Sequence, residues 1–239
     1  MSDAPKIRLY LDQPLGAGQS LSLSRGQVHY LGNVMRLGPG AEVAVFNGRD
    51  GEWRGRIESL GKRDGTLDAV EQIRPQVTPP DITLAFAPIK KERTDFIVEK
   101  ATELGVARIA PVLTEYSNTS RINLDRLQAH AIEAAEQCGG VYVPEISELR
   151  PLAKFLDTLG ERRVIFCDEA QVGTSTSPQS AAPVAILIGP EGGFSESERA
   201  RLRGLPNVEV LSLGPRILRA ETAAVAALTL WQAAQGDWQ

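Results

Sequence analysis

Arg216 and Arg219 stand close together in the stretch LGPRILRAETAA, between a strand-like run, NVEVLSLG, and a helix-like one. A helix N-terminus already favours anions, so a purely structural turn gains little from two cations there. The pair suits an anionic or electron-rich partner: an RNA phosphate, a ligand carboxylate, or the chain's own Glu191 or Glu221. Earlier, IGPEGGFSESE (188–198) makes another Gly-Pro turn, again after an apolar run, PVAILIG. Ser195 and Glu198 behind it have the spacing of a capping box and mark a helix start. Gly189, Gly192 and Gly193 permit close backbone approach to a ligand, or positive φ. Neither a phosphate loop, GxxxxGK[ST], nor a dinucleotide loop, GxGxxG, is present, and Glu191 would repel a phosphate. A carboxylate there suits a hydroxylated or cationic ligand, and an adenosine carrying a sulfonium meets both descriptions. The plainer alternative is a β–α turn whose glycines serve geometry alone.

Such turns need strands and helices to hold them. From 81 onward the pattern alternates: DITLAFAPI, ARIAPVLTE, RRVIFCD, PVAILIG and NVEVLSLG read as strands, and ERTDFIVEKATELG, LDRLQAHAIEAAEQCGG, PLAKFLDTLG and ETAAVAALTLWQAAQ as helices. That alternation predicts an α/β domain with a mostly parallel sheet, whose ligands bind outside the carboxyl ends of the strands. Both Gly-Pro turns fall there. Residues 1–74 differ. Short strand-like runs (RLYLD, SLSLS, EVAVFNG, GEWRGRIESL, GTLDAVEQI) are punctuated by Gly, Asn and Asp and predict a small barrel. Within them, QVHYLGNVMRLG (27–38) predicts a short amphipathic helix with Val28, Leu31, Val34, Met35 and Leu37 on its apolar side. The Pro-rich RPQVTPP places a stiff linker at 75–80 and so a second domain at 81–239.

Composition narrows the function classes. The 239 residues are 42% hydrophobic and 23% charged, an ordinary globular mixture. The net charge is −4, but residues 1–80 carry 10 Lys/Arg against 9 Asp/Glu, whereas 81–239 carry 16 against 21. The first third is therefore the better candidate for touching phosphates, although a solvated mixed surface explains the same charges. Cys138 and Cys167 form no CxxC and read as free thiols in a reducing cytoplasm. With only His29 and His130 present, neither given a role, no metal site is expected. No basic-then-apolar secretion signal opens the chain, and no apolar run is long enough to span a membrane.

Taken together, GPEGGFSESE and LGPRILRAETAA resemble the two cofactor loops of SPOUT-class methyltransferases. More narrowly they are similar to those of the ribosomal RNA small-subunit methyltransferase E family, which methylates N3 of a uridine in 16S rRNA. RLYLD, HYLGNVMRLGPGAEVAVFNG, KKERTDFIVEKATELGV and AIEAAEQCGG with VPEI match the family's other blocks in order, so the resemblance covers almost the whole chain.

The resemblance implies a PUA-like N-terminal β-barrel followed by an α/β, parallel-sheet SPOUT domain tied in a C-terminal trefoil knot. It also implies S-adenosyl-L-methionine held between the two loops, a homodimer, and 16S rRNA in the 30S subunit as partner. For the cofactor it points to Leu187, Gly189, Glu191, Gly192, Gly193, Leu213, Gly214, Leu218, Arg219, Glu221, Thr222 and Ala223. For RNA the candidates are Arg8, Arg25, Arg36, Lys90, Lys91 and Arg93, the last three also readable as a solvated basic cluster paired with Glu92 and Asp95. For catalysis Arg219 comes first and Arg216 second, as cations beside the developing uracil oxyanion. Glu221 is a candidate base, with Glu136 as the alternative; a helix first-turn acid and an exposed helix residue are their plainer readings. The helix at 221–234 either packs at the dimer interface or lies in the core. The chain departs from the family at Tyr116 and at Gly139-Gly140, where basic residues are common. Two other readings stay open: a SPOUT-class enzyme acting on another RNA such as tRNA, and a non-catalytic RNA-binding protein of this fold.

Overall fold

The computed structural model describes residues 4–168 and 177–238. The chain divides into two compact units: one runs to Thr78 and includes Ala135–Val143, and the other holds Pro79–Ala134 and Pro144–Gln239. Part of the polar stretch GTSTSPQSAAP (173–183) lies outside the described residues.

In the first unit, β1 (Arg8–Tyr10), β2 (Gln19–Leu23), β3 (Glu42–Phe46), β4 (Glu52–Leu60) and β5 (Gly65–Arg74) form one mixed sheet, ordered β1-β3-β4-β5-β2. It curls as a half-barrel, and three register shifts between β4 and β5 supply local bending. Strand alternation builds its core: Leu21 and Leu23 point inward while Ser20 and Ser22 point out. Leu9, Val43, Val45, Ile57 and Leu67 close that core from the other strands.

The helix expected at 27–38 is shorter and of two kinds. α1 (Arg25–His29) begins on a Ser24/Gln27 capping box and passes into a π-helical turn, Tyr30–Val34. The Met35 N–H donates to the Tyr30 carbonyl, five residues back, at 2.9 Å. The wider turn breaks the 3.6-residue periodicity. Val28 and Leu31 stay buried and Leu37 packs against the core, but Val34 and Met35 are exposed at 57% and 37%, so the apolar stripe read from the sequence is interrupted after Leu31.

Arg8 is the structural centre of this unit. Its Nε donates to Glu52 at 2.6 Å; Nη1 donates to the carbonyls of Ala135 (2.5 Å) and Glu136 (2.9 Å), and Nη2 to that of Gly140 (2.6 Å). Its guanidinium also lies over the Phe46 ring at 4.5 Å. Only 12% of the Arg8 side chain is exposed. The expectation that it grips RNA is therefore corrected: it neutralises Glu52 and satisfies the orphan carbonyls at a helix end. Glu136 is engaged there too, its carboxylate accepting the Tyr10 N–H at 2.8 Å.

The second unit carries β6 (Ile82–Phe86), α2 (Lys91–Glu103), β7 (Arg108–Leu113), α3 (Leu124–Cys138, its last turn grouped with the first unit), β8 (Glu145–Ile146), β9 (Arg150–Pro151) and α4 (Leu152–Asp157). β10 (Arg163–Cys167), β11 (Val184–Ile188), α5 (Glu196–Arg203), β12 (Val208–Leu211) and α6 (Ala220–Gln235) follow. The sheet runs β12-β10-β11-β6-β7-β8, with β9 also on β7, and all its pairings are parallel. β6 and β11 are buried at every residue, as strands covered on both faces must be. α6 buries Ala224, Ala227, Leu228, Trp231 and Gln232 within this chain, and the Trp231 indole N–H donates to the Ser180 carbonyl at 2.8 Å.

Burial by itself would raise the Glu52 pKa, but hydrogen bonds from Arg74 and Arg8 outweigh it and hold the carboxyl below its ordinary value. A depressed folded pKa gives stability that is present above the unfolded value, about 4.3, and lost as pH falls through the folded one. Arg8→Ala is expected to cost about 3 kcal/mol, since it removes one of the two cations on a buried carboxylate, Arg74 remaining, and leaves the carbonyls of Ala135, Glu136 and Gly140 without their donor. Urea denaturation at pH 7 measures that loss. Repeating it at pH 3 should show a smaller difference between wild type and variant, because Glu52 is then closer to neutral in both.

Candidate functional site: a cavity between two Gly-Pro loops

Three neighbouring strands end level. Cys167 closes β10 opposite Ile188 of β11 on one side and Leu211 of β12 on the other. The turn beginning at Gly189 leaves β11, and the turn through Gly214 follows β12. Both enclose one cavity of about 260 Å³. Its wall from the first turn is Gly189, Pro190, Glu191, Gly192 and Gly193; from the second, Leu213, Gly214, Arg216, Ile217 and Leu218, with Ala220 and Ala223 of α6 behind.

The glycines differ in purpose. A Cβ on Gly189 would lie 2.6 Å from the buried Phe194 ring, so packing beneath the loop forbids a side chain there. Gly193 has φ +72 and closes a turn onto the Pro190 carbonyl at 2.9 Å. Gly214 has φ +103 with nothing near the position of a Cβ, which leaves its backbone open to a ligand. The Ser195/Glu198 capping box forms as the spacing predicts. The second Glu198 oxygen accepts the Glu115 N–H at 2.9 Å, tying the loop after β7 to the first turn.

Of the expected cofactor residues, Gly189, Glu191, Gly192, Gly193, Leu213, Gly214, Leu218 and Ala223 line the cavity. Leu187, Arg219, Glu221 and Thr222 do not. Leu187 is fully buried in the core with Ala185 and Phe194, since alternation along β11 turns its side chain away from the edge. Arg219 is the exposed N-cap residue of α6 and makes no side-chain capping bond. Arg216 lines the cavity, is exposed, and like Arg219 has no ion pair among the described residues.

Arg93 is where the structure departs most from a phosphate-binding expectation. Its guanidinium reaches from α2 to both loops, bonding Glu191 through Nη1 and approaching the Glu221 Oε1 within 3.5 Å through Nε. One cation thus joins a carboxylate of the first turn to a carboxylate just beyond the second. The Glu221 side chain is only 15% exposed, and its other oxygen is buried without a hydrogen bond. Glu221 is thereby an anchor for Arg93 rather than a base facing the cavity. Arg25 and Arg36 are exposed in the first unit, Arg36 at φ 56, and Lys90 and Lys91 are exposed at the start of α2.

Cys167 and Asp168 line the cavity from the middle strand and were not among the expected residues. Burial and then the Glu209 charge push the Cys167 thiol up to about 12, so it stays protonated and is no nucleophile at neutral pH. The Asp168 side chain is fully buried and paired with Arg199 at 3.1 Å and Arg203 at 2.5 Å.

Removing the shared cation has a local signature. Arg93→Ala should loosen the amides of 191–193 by about 1 kcal/mol, about fivefold faster hydrogen exchange, while the amides of β6 and β11 keep wild-type protection. Exchange mass spectrometry on the full chain checks this.

Comparison with known proteins agrees with the geometry. An RNA methyltransferase domain family matches residues 76–232, and an RNA methyltransferase PUA domain family matches 23–69. The ribosomal RNA small subunit methyltransferase E of Rickettsia conorii is 32% identical over 227 residues, 92% of this chain and 93% of its own length. A solved structure from Legionella pneumophila with bound SAM is 33% identical at a TM-score of 0.85, covering 97% of this chain and 98% of that one. The ribosomal RNA small subunit methyltransferase E of Neisseria gonorrhoeae, solved bound to S-adenosyl methionine, is 30% identical at a TM-score of 0.84, covering 98% and 99%. With both domain families matched in order and relatives of this identity along nearly its whole length, the chain belongs to the ribosomal RNA small subunit methyltransferase E family, built as a PUA domain and a parallel-sheet RNA methyltransferase domain.

Proposed function

We propose that this chain transfers a methyl group from S-adenosyl-L-methionine to N3 of a uridine in the 16S RNA of the small ribosomal subunit. The observation that carries this reading is the single cavity walled by both Gly-Pro turns, with Arg216 on its lining and Arg219 at the adjacent helix start. The residues present suit the cofactor: backbone at Gly192, Gly193 and Gly214 for hydrogen bonding, apolar Leu213, Leu218 and Ala223 for an adenine face, and Glu191 for a hydroxylated or cationic group. When bound, S-adenosylmethionine supplies an electrophilic methyl on a sulfonium.

The uracil N3–H lies on the Watson–Crick edge, so the nucleotide must be unpaired or flipped out of its stack to react. N3 gives up its proton, and negative charge spreads to O2 and O4. Arg219, and secondarily Arg216, stabilise that charge, since neither is neutralised by a carboxylate among the described residues. Glu191 is held by Arg93, and Asp168 by Arg199 and Arg203. With its two carboxylates so occupied, the cavity leaves the proton to water, and positioning supplies much of the acceleration. The same reading carries a trefoil knot in the second unit, a cytoplasmic site of action and a homodimer. Ile217, apolar, on the cavity lining and 82% exposed, supports a second copy as its cover.

Labelled methyl transfer tests the reading. Small subunits, naked 16S rRNA and bulk tRNA are incubated side by side with the donor, and the labelled nucleoside is identified. The expected product is 3-methyluridine in 16S rRNA; label confined to tRNA, or in a ribose, contradicts it. Arg219→Ala should lower the rate of transfer by about 10²-fold, the loss typical of removing one oxyanion donor. Unchanged turnover removes Arg219 from the mechanism.

A further inference from the structure

A separate cleft lies along the same edge of the sheet, over β6 and β7 rather than over β12, β10 and β11. It is lined by Pro88 and Ile89 after β6, Lys91 and Thr94 of α2, Thr119 and residues 121–123 after β7, and Arg126 of α3, around a volume of about 480 Å³. None of its lining residues is acidic. Lys91 and Arg121 are exposed and have no ion pair among the described residues. Arg126 is held in place by Asp95 at 2.5 Å, and Asn123 caps α3 by accepting the Arg126 N–H at 3.0 Å. Thr94 fixes the floor, its hydroxyl accepting from the Ile89 N–H at 3.0 Å and donating to the Ile89 carbonyl at 3.1 Å.

We propose that this cleft binds phosphodiester oxygens of the RNA substrate, with Lys91 and Arg121 as the contacting cations and Arg126, neutralised by Asp95, as part of its wall. The assignment rests on the functional reading above and adds a place where the substrate's backbone is held. Two exposed cations beside hydroxyl and amide side chains, with no acidic residue on the lining, are the make-up of a backbone-binding track, which positions without reading sequence. Lys91 lies two residues before Arg93, whose guanidinium holds the wall of the methyl-donor cavity. The cleft and the cavity thus lie along one edge of the sheet. Arg93 does not touch the phosphate in this account; it is committed to Glu191 and Glu221.

Counterion release gives a direct readout. Binding of naked 16S rRNA to the full chain is measured between about 50 and 200 mM KCl, the range over which phosphate contacts dominate the salt dependence. Relative to wild type, Lys91→Gln with Arg121→Gln should lower the magnitude of the log–log salt slope by about 1.4, two single-strand contacts at about 0.7 each. S-adenosylmethionine affinity should be unchanged by calorimetry, which also reports that the variant is folded. Lys154→Gln, a surface lysine of α4 outside the cleft, should leave the slope at its wild-type value. Inorganic phosphate at millimolar concentration should not displace the RNA; displacement would make the cleft a site for a small anion and overturn the assignment. A double variant with the wild-type slope overturns it too, whatever the methyl transfer does. If wild type transfers no methyl to small subunits, the functional reading fails, while a reduced slope still upholds the cleft.

Discussion

Parallel register across four strands sets the working edge of this protein. Phe86, Ile188, Cys167 and Leu211 are paired in sequence across β6, β11, β10 and β12, so the chain leaves all four strands at one level. Because β10 lies between β11 and β12, the two Gly-Pro turns stand one strand apart and leave a gap between them. That gap is the cavity. A shift of one residue in any of these strands would exchange the side chains packed on its two faces and move one wall out of line with the other. The buried Ile82, Leu84, Phe166 and Ile186 hold the register, and function here is a by-product of core packing.

Charge is distributed with economy around that edge. Carboxylates near the cavity are neutralised by cations from neighbouring elements: Glu191 and Glu221 by Arg93, Asp168 by Arg199 and Arg203. Arg216 and Arg219 are left without such partners among the described residues, one on the cavity lining and the other at the start of α6. The same division recurs in the first unit, where Arg8 is buried on Glu52 while Arg25 and Arg36 stay exposed. A basic residue in this protein is therefore assigned to structure or to substrate by whether a carboxylate reaches it.

Much of this was legible in the sequence, and what was not has physical causes. Both turns declare themselves locally, through Gly-Pro steps after apolar runs and the Ser195/Glu198 cap. The strand and helix sequence of the second unit follows from periodicity. Pairings between distant residues do not: Arg93 meets Glu191, and Arg8 meets Ala135 and Gly140, only once the chain is folded, so both read as surface cations. Cys167 and Asp168 sit at the end of a recognised strand, RRVIFCD, but no sequence pattern places that strand between the other two. Val34 and Met35 fit a helix of ordinary pitch; the π-helical turn, which no local residue announces, turns them outward.

The central claim is that the two turns are opposite walls of one binding site for the methyl donor. Isothermal titration of S-adenosylmethionine into the wild-type chain, and into a variant altered on each wall, tests it most directly. Gly192→Val and Gly214→Val change one wall apiece. The account predicts saturable binding by wild type and loss of at least about tenfold in affinity, about 1.4 kcal/mol, in each variant. Wild-type affinity in either variant, or no saturable binding by the unaltered chain, would contradict it.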